Sequence, residues 1–479
     1  MSLASLPRKP RRADAAAAAV VVSVAVLACL LLALAVGVSA GNCSIWFAIP
    51  GLCDSPNIAL PAAVIIAALP VLAVTLSGRP LAALVGLYIV LVPIDDALLV
   101  GGGFTVTKIV GLLIAIVAVA TMLRRGIRIT VPYAVLGWLA VVALMAISIT
   151  WSIDPEMSSG NLITIASEFA LLLILVAVPM NEDELRTVVW ATIVSGAAVG
   201  VTAMALARHE LSTQAGQVGR LYLSFGTATL DPNRFGASLL LPIAMTVGAM
   251  GQTKRWARAA LLVPLGLSLG AVYLSASRGT LVALGAMAAV AILYSRRRVL
   301  YGSILAVGAA LVYIIPSELS ARLNEGTGST LTGRTDIWRV ALAAFPLHPL
   351  LGSGVGTFIA AYNRAFFLTY QPDFLDWDRD PHNLIMSTAV ELGLVGIALL
   401  ATALILQYRS VRVIPPGPFA WLRPVMAASL VGLVVAAMFV DVLATKFAWL
   451  LFTEMLIFAG FGSRTWMLRL RRAQRPREP

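Results

Sequence analysis

Apolar runs of about 20 residues recur from one end of this chain to the other, and they constrain its fold more than any other feature. A helix of that length crosses the roughly 30 Å hydrocarbon core of a bilayer. Backbone in lipid must satisfy its own hydrogen bonds, so continuous apolar runs indicate helices, whereas barrel strands would alternate. Only 12% of the 479 residues are charged, against about 25% in soluble domains. The sequence therefore predicts an all-α integral membrane protein.

The apolar runs divide the chain into about fourteen candidate spans. One of them is short and the last two are joined very tightly, so we expect about 12–14 transmembrane helices in one polytopic membrane domain, residues 1–479. The predicted spans lie near residues 15–38, 57–76, 80–94, 105–123, 131–150, 162–179, 186–207, 235–250, 258–275, 279–294, 299–315, 383–406, 421–440 and 443–462.

The distribution of basic residues predicts the orientation of the chain. The net charge is +12, and the Lys and Arg side chains concentrate at both termini and in alternate connections. Positive charge marks cytoplasmic connections, so both termini are predicted to be cytoplasmic. Basic residues in this pattern set topology and contact anionic lipid heads, so we predict membrane lipids rather than nucleic acid as partners. The main clusters are Arg8–Arg12, Arg124–Arg128, Lys254–Arg258, Arg296–Arg298, Arg409–Arg412 and Arg464–Arg477.

The first outward connection, residues 39–56, contains Cys43 and Cys53. A disulfide is permitted on the outer side of the membrane, and we predict one between these two residues, the alternative being two unpaired thiols. The apolar run before them resembles a signal peptide but is longer than a normal one, which favours an uncleaved first helix.

The segment 316–382 is the longest polar interruption and is predicted to lie outside the cytoplasm. Long loops are usually functional or disordered, and the aromatic residues spread through this one favour an ordered cap on the outer membrane surface. Apolar side chains recur in it at helical spacing and predict a short amphipathic helix that ends near Pro346. These residues are Ile337, Val340, Ala341, Ala344 and Phe345.

Arginine is found in three separate outward segments. Arg220 precedes Asp231-Pro-Asn233, Arg278 lies in a very short connection, and Arg334 belongs to the long segment that ends at His382. Arg binds phosphate through two parallel hydrogen bonds and keeps its charge. Converging Arg residues would suit a lipid-linked phosphate or pyrophosphate, and the alternative for each is a solvated or headgroup-bound Arg.

His382 is placed at the start of a predicted span, between Pro381 and Asn383. Unpaired amides and the positive dipole end of a helix bind anions and favour a neutral imidazole. A neutral imidazole can act as a general base. The alternative is that His382 or Asn383 only caps the helix, and the residues alone do not decide between the two.

Other polar groups are weaker indicators of function. The acidic run from Asp373 to Asp380 fits no strict metal-ligand spacing, so we predict no metal site. The glycine-rich segment Gly352–Gly356 lacks the Lys-Ser/Thr of a phosphate loop and is interpreted as a tight turn. Acidic residues within spans are candidates for function or for helix–helix hydrogen bonds; they are Glu168, Glu391 and Glu454.

Several of these motifs together resemble the O-antigen ligase and polymerase family of bacterial envelope glycosyltransferases. The most specific part of the likeness runs from Gly333 to Gly396, within a broader likeness from about 140 to 400. The motifs are Trp151-Ser-Ile-Asp-Pro155, Arg220 with Asp231-Pro-Asn233, Ser277-Arg-Gly279, Gly333-Arg-Thr-Asp-Ile-Trp338, the run from His348 to Phe358, His382-Asn-Leu-Ile, and Glu391-Leu-Gly-Leu-Val-Gly396.

The resemblance implies a GT-C-like fold and an inverting, metal-independent glycosyltransferase that needs no cofactor. Such an enzyme moves a glycan from an undecaprenyl-pyrophosphate carrier to an acceptor at the outer face of the bacterial cytoplasmic membrane. The acceptor is another glycan, a lipid A core or, in some members, a protein. The expectation is an O-antigen ligase, with a polymerase of the same family as the alternative. The resemblance assigns catalysis to His382, Arg278 and Arg220. Substrate binding is expected at Arg334, Asn233 and Asn383.

Two other functional classes remain as alternatives. A transporter of lipid-linked glycans usually binds near the bilayer midplane and often shows repeat symmetry, whereas the polar residues here cluster at the outer edge. A non-catalytic envelope scaffold would not require a base at His382.

Overall fold

The part of the protein that the structure describes is built almost entirely from helices. The computed structural model describes residues 79–97, 99–101, 104–125, 130–178, 180–206, 223–225, 228–275, 277–294, 334–369, 379–461 and 467–469. The helices within these residues are α1 Pro80–Leu91, α2 Val106–Arg125, α3 Tyr133–Ser148, α4 Pro155–Ala177, α5 Glu182–Leu206, α6 Pro232–Ser238, α7 Leu240–Met250, α8 Arg255–Ser275, α9 Arg278–Leu293, α10 Arg334–Ala344, α11 Phe358–Phe366, α12 Leu384–Val413, α13 Leu422–Ala436 and α14 Lys446–Gly460.

Three two-stranded antiparallel ladders connect some of these helices. Strand β1 (Leu99–Gly101) pairs with β2 (Phe104–Thr105), β3 (Thr130–Pro132) with β6 (Met467–Arg469), and β4 (Leu223–Phe225) with β5 (Ala228–Leu230). The β1–β2 and β4–β5 ladders close local turns, whereas the β3–β6 ladder joins the segment before α3 to the segment after α14. With at most three residues in each strand, these ladders form no sheet layer in the described part of the chain.

Six of the described helical segments are long and apolar enough to cross a membrane, which confirms the predicted class of all-α membrane protein. They are Val106–Leu123, Tyr133–Trp151, Pro155–Ala177, Glu182–Met204, Arg255–Ser275 and Leu384–Val413. Shorter apolar helices occupy the predicted spans 80–94, 279–294 and 421–440. The spans predicted near 15–38, 57–76 and 299–315 lie outside the described residues, so the total of about 12–14 helices stays a prediction.

Two predicted spans differ from the observed helices. The span predicted from 235 to 250 is two helices, α6 and α7, which meet at Leu239. The span predicted from 383 to 406 continues to Val413, and its helical geometry breaks at Gly393, where φ is +66°. Hydropathy does not register either break, because apolar residues continue through both.

Aromatic packing and one buried amide join three helices in the core. Trp138 of α3 stacks on Phe452 of α14 with ring centroids 4.5 Å apart. The Trp138 Nε1–H donates to Gln407 Oε1 of α12 at 3.0 Å, and Gln407 Nε2 donates to the Phe452 carbonyl at 3.0 Å. A polar side chain within a membrane helix is therefore fully engaged, as lipid burial requires.

The amphipathic helix predicted in the long polar segment is present as α10. Ile337, Val340, Ala341 and Ala344 are buried, and a short 3₁₀ turn, Phe345–Leu347, follows the helix. These side chains pack with α11 and with the first turns of α12. The long segment therefore contributes an ordered layer beside the helix that follows His382.

Candidate functional site

Four helices begin at one end of the bundle, and the predicted site residues Asn233, Arg278, His382 and Asn383 lie at three of these helix starts. The helices are α6, α9, α12 and α14. The segment 437–445, which joins α13 to α14, lies between the starts of α9 and α12. Leu384 N–H donates to the Ala437 carbonyl at 2.8 Å, and Gly279 lies against Phe439. Polar residues from distant parts of the chain therefore meet at this end.

The start of α6 is locked to the start of α9. Asp231 caps α6, its side chain accepting hydrogen bonds from the Asn233 and Arg234 amides. Ser277 caps α9 by accepting from the Thr280 amide, and its hydroxyl donates to Asn233 Oδ1 at 2.7 Å. The Asp-Pro-Asn and Ser-Arg-Gly motifs thus form one hydrogen-bonded unit, although Asn233 and Ser277 are 44 positions apart in the sequence.

Arg278 is the first residue of α9 and is half-buried. A cation at the positive end of a helix opposes the helix dipole, so helix stability does not explain an arginine here. Gly279 fixes its neighbour's position, because a Cβ at Gly279 would lie 2.7 Å from the Phe439 side chain. The Arg278 backbone is therefore held directly beside the 437–445 segment.

His382 has a left-handed backbone, with φ of +44°, and is the one non-glycine residue with positive φ among the described residues. Such a conformation costs on the order of 1–3 kcal/mol and persists only where the surroundings enforce it. Asn383 supplies that enforcement, because its side-chain oxygen accepts from the Ile385 and Met386 amides at 2.9 and 3.1 Å. Asn383 is the cap of α12, so the capping alternative is observed for Asn383.

Two charged residues near these helix starts were not predicted as site residues. Burial raises the pKa of the Asp441 carboxyl above its ordinary value, the nearby Arg234 charge opposes that rise, and Asp380 adds to it. Arg234 follows the predicted Asn233, and Asp441 lies in the tight connection between the last two predicted spans. Both positions were visible in the sequence, but only the fold brings them together.

The predicted site residues differ in how they are placed. Asn233 and Asn383 are buried, and their side-chain oxygens already accept protein hydrogen bonds. Arg334 is the first residue of α10, which packs on the start of α12. Arg220, Cys43 and Cys53 lie outside the described residues.

The glycine-rich turn at 352–356 is inserted into the break of α12. Ser353 and Gly354 N–H donate to the Val390 and Glu391 carbonyls at 2.9 Å, and Leu394 N–H donates to Pro349 at 2.9 Å. Backbone groups that the helix break leaves unpaired are thereby satisfied. The interpretation of this segment as a turn is correct, and its partner is the Glu391–Gly396 motif.

The carboxylate of Glu391 completes this interlock. It accepts hydrogen bonds from the Gly356 and Phe358 amides, at 2.8 and 3.3 Å, and from Ser387 Oγ at 3.3 Å. A side-chain acceptor at the first amides of α11 acts as a helix cap. The carboxylate of Glu391 therefore holds α11 and its preceding turn against α12.

The Trp151–Pro155 motif packs on the same turn. Ile153 N–H donates to the Ser353 carbonyl at 2.9 Å, and Ser158 Oγ donates to the Val355 carbonyl at 2.7 Å. Gly354 lacks the Cβ that would meet Ser152 at 2.6 Å. The Trp151–Pro155 motif, the glycine-rich turn and the Glu391–Gly396 motif thus form one scaffold beside the candidate site.

The other two intramembrane glutamates make helix–helix hydrogen bonds. Glu168 of α4 accepts from the Tyr88 hydroxyl of α1 at 3.0 Å. Glu454 of α14 accepts from Thr192 Oγ1 of α5 at 2.7 Å. The helix–helix hydrogen bonds that were one of the two expectations for Glu168 and Glu454 are therefore observed.

Lys446, the first residue of α14, forms a largely buried ion pair with Asp95. Its ammonium also donates to Thr105 and Thr107 hydroxyls at 2.9 and 2.6 Å. This cluster ties α14, and with it the 437–445 segment, to the start of α2. It is a polar anchor next to the helix starts, which hydropathy could not locate.

Comparison with known proteins supports the resemblance seen in the motifs. The O-antigen ligase family model matches residues 263–401. The matched part begins within α8 and ends within α12, and it includes Arg278, Arg334 and His382. The resemblance to the O-antigen ligase and polymerase family is confirmed.

The chain is also similar to a curated protein. The chain is 27% identical over 301 residues to the exopolysaccharide production protein ExoQ of Rhizobium meliloti, a match that covers 58% of this chain. The chain spans 65% of the length of that relative. The family match and the six long apolar helices together indicate a multi-pass membrane protein.

Proposed function

We propose that this protein transfers a glycan from an undecaprenyl-pyrophosphate carrier to an acceptor hydroxyl, as an O-antigen ligase does. The acceptor is a lipid A core, a glycan or another envelope molecule. The reaction takes place at the outer face of the bacterial cytoplasmic membrane, within a single polytopic domain whose segment 316–382 contributes the catalytic loop. The proposal is carried by the convergence of Arg278, Arg234 and His382 on the starts of α9, α6 and α12.

The electrostatics of this end of the bundle suit a pyrophosphate. The starts of α6, α9 and α12 present the positive ends of helix dipoles, which attract anions. Some of their first amides are already taken up by the caps Asp231, Ser277 and Asn383. Arg278 and Arg234 add full charges at two of these starts. A carrier pyrophosphate bound there would be stabilised most as negative charge develops on it during departure.

The chemistry follows as a single displacement. His382 accepts the proton of the acceptor hydroxyl while the hydroxyl oxygen attacks the anomeric carbon of the donor glycan. The bond from that carbon to the pyrophosphate oxygen breaks, and undecaprenyl pyrophosphate leaves with the bonding electrons. Arg278 and Arg220 hold the leaving group, Arg334 and Asn233 contribute to donor binding, and Asn383 fixes the backbone that orients His382. Inversion at the anomeric carbon is the expected outcome, and neither a metal nor a cofactor is required by these steps.

A polymerase of the same family is the second candidate. The match to an exopolysaccharide production protein favours it. Ligase and polymerase differ only in the acceptor, which is a lipid A core in one case and a second carrier-linked glycan in the other. Supplying purified protein with labelled donor and each acceptor in turn distinguishes them by the product formed.

Arg278→Ala tests the leaving-group assignment. Removing one group that stabilises developing charge typically costs about 10²–10³ in kcat, so transfer in reconstituted vesicles should fall by that order. Arg278→Lys should recover little, because Lys cannot bind two phosphate oxygens in the guanidinium geometry.

Arg186→Ala is the matched control. Arg186 is an exposed arginine near a helix start, paired to Glu182 within α5. Its removal should leave the transfer rate unchanged. Equal activity of the Arg278 and Arg186 variants would exclude Arg278 from the reaction.

A further inference from the structure

The loop Leu347–Leu351, which we call the leucine loop, exposes an apolar surface on the segment that follows α10. Leu347, Leu350 and Leu351 are 51%, 63% and 44% exposed, although the neighbouring α10 and α11 bury their apolar faces. Large apolar side chains clustered on an exposed loop mark a contact surface rather than a solvated one.

The backbone of this loop is fixed to a helix that crosses the membrane. Leu394 N–H donates to the Pro349 carbonyl at 2.9 Å, and Val395 N–H donates to the Leu350 carbonyl at 3.1 Å. A Cβ at Gly393 would lie 2.3 Å from the Leu350 carbonyl carbon. The leucine loop therefore lies in direct contact with α12 and shares its depth in the bilayer.

The depth of that contact follows from the length of the helix. Arg409 and Arg412 lie in the last turns of α12, where long basic side chains extend to the membrane surface. From Leu394 to Arg412 the helix rises about 27 Å, close to the hydrocarbon thickness of about 30 Å. If Arg412 marks one boundary of the hydrocarbon, Leu394 and the leucine loop lie at the other.

The apolar surface of the loop is continuous with the lipid-facing surface of the helix. Leu394 and Val395, which carry the hydrogen bonds to the loop, are themselves 51% and 39% exposed. An occupant that covers these helix residues also reaches the leucine loop. On a spanning helix that occupant is lipid.

We propose that the leucine loop inserts its side chains into the interfacial layer of the bilayer and anchors the 334–369 segment to the lipid surface. The interfacial layer accepts apolar side chains from segments that do not span the membrane. Since α10 and α11 pack on the first turns of α12, the anchor fixes their height beside the helix starts. The inference concerns lipid contact and does not depend on the proposed transferase activity.

Fluorescence quenching at a single added cysteine tests the depth. Full-length protein with Leu350→Cys is labelled with bimane and reconstituted in phosphatidylethanolamine and phosphatidylglycerol vesicles. The vesicles contain lipids that carry a spin label either near the glycerol backbone or near the chain end. We expect stronger loss of fluorescence with the shallow label than with the deep one.

Two control positions calibrate the measurement, and the unmodified protein serves as blank. Ile405, exposed near the middle of the spanning part of α12, should be quenched most by the deep label when replaced by Cys. Arg364→Cys, at an exposed position on α11, should be quenched weakly by both.

Each of three other results at Leu350 would overturn the proposal. A response like that of Arg364 would mean that the loop is in water. A response like that of Ile405 would mean that the loop enters the hydrocarbon core. Blue-shifted emission without quenching by either lipid would mean that protein, such as a second copy of the chain, covers the loop.

Discussion

At the scale of single residues, the unusual positions are those at helix starts. Arg278 opposes the dipole of α9, and His382 has a left-handed backbone that the Asn383 cap maintains. Neither feature helps the local helix. Residues kept where they oppose local stability are expected at functional sites, and both residues were candidates from their motifs.

His382→Gln should separate a proton acceptor from a group that only positions the acceptor. Glutamine forms hydrogen bonds but does not take a proton near neutral pH, so the transfer rate should fall by about 10²–10⁴, the usual contribution of general base catalysis. Near-normal turnover of the Gln variant would show that the base is another group.

Asp441→Asn should stabilise the protein in a pH-dependent way. Burial raises the pKa of Asp441 above its ordinary value of 3.8, so ionising it costs more in the folded than in the unfolded state. That penalty is absent below the ordinary pKa, grows as the pH rises toward the folded pKa and remains in full above it. The gain in Tm should therefore be larger at about pH 7 than at a pH near or below the ordinary pKa.

The matched control for Asp441 is the exposed Asp183, which pairs with Arg79 at the protein surface. Asp183→Asn should change Tm little at either pH, as surface ion pairs contribute little. Thermal unfolding of both variants followed by tryptophan fluorescence makes the comparison. A pH-independent gain for Asp441→Asn would contradict the assigned cause.

The sequence predicted several polar residues of the candidate site but not their grouping. Arg278, His382 and Asn233 stood out because polar side chains interrupt apolar runs at these positions. Arg234 and Asp441 did not stand out, because their importance depends on contacts between the start of α6 and the 437–445 segment. Contacts of that sequence separation are set by helix packing, which composition and spacing do not report.

At the scale of elements, the strongest motifs proved to be structural. The turn at 348–357, the break of α12 at Gly393 and the Trp151–Pro155 segment form one hydrogen-bonded scaffold. The tight turn was predictable, because glycine clusters indicate backbone with positive φ. Its insertion into a helix break was not, because apolar periodicity continues through Gly393.

Gly352→Ala tests this interlock. Gly352 has φ of +70°, and a Cβ there would lie 2.2 Å from the Glu391 carbonyl carbon. Two rigid backbones would have to separate, so we expect a loss of roughly 2–4 kcal/mol in stability or failure to fold. Size-exclusion chromatography after heating measures the loss.

Gly285→Ala is the control for the interlock. Gly285 lies within α9, and a Cβ added there would have no neighbouring atom within 4 Å. Alanine favours helix over glycine by up to about 1 kcal/mol, so this variant should be at least as stable as the native chain. Comparable stability of the Gly352 and Gly285 variants would mean that the turn and the helix break are not interlocked.

At the scale of the whole molecule, hydropathy predicted the helices well. Every segment that crosses lipid must be apolar and must satisfy its own backbone hydrogen bonds as a helix. The predicted spans 105–123, 131–150 and 258–275 correspond closely to α2, α3 and α8. The ends of the helices were less predictable, because capping residues extend helices beyond their apolar part. Asp154 caps α4 at Pro155, seven residues before the predicted start of that span at 162. Charge, rather than hydropathy, predicts which way the bundle faces.

The orientation of the bundle is the prediction on which the transferase proposal depends most. The carrier-linked donor is expected at the outer face, so α11 must be outside and the basic connection 251–254 inside. Arg364→Cys and Gln252→Cys place thiols at exposed positions in these two segments. In intact cells, an impermeant maleimide should label Arg364→Cys, and it should label Gln252→Cys only after permeabilisation. The native chain is the blank, and its Cys43 and Cys53 should remain unlabelled if they form the predicted disulfide.

Labelling of Gln252→Cys in intact cells, with Arg364→Cys protected, would mean that the topology is the reverse of the predicted one. The Arg and His side chains would then face the cytoplasm, away from the outward-facing donor, and the proposed reaction would fail together with the charge argument.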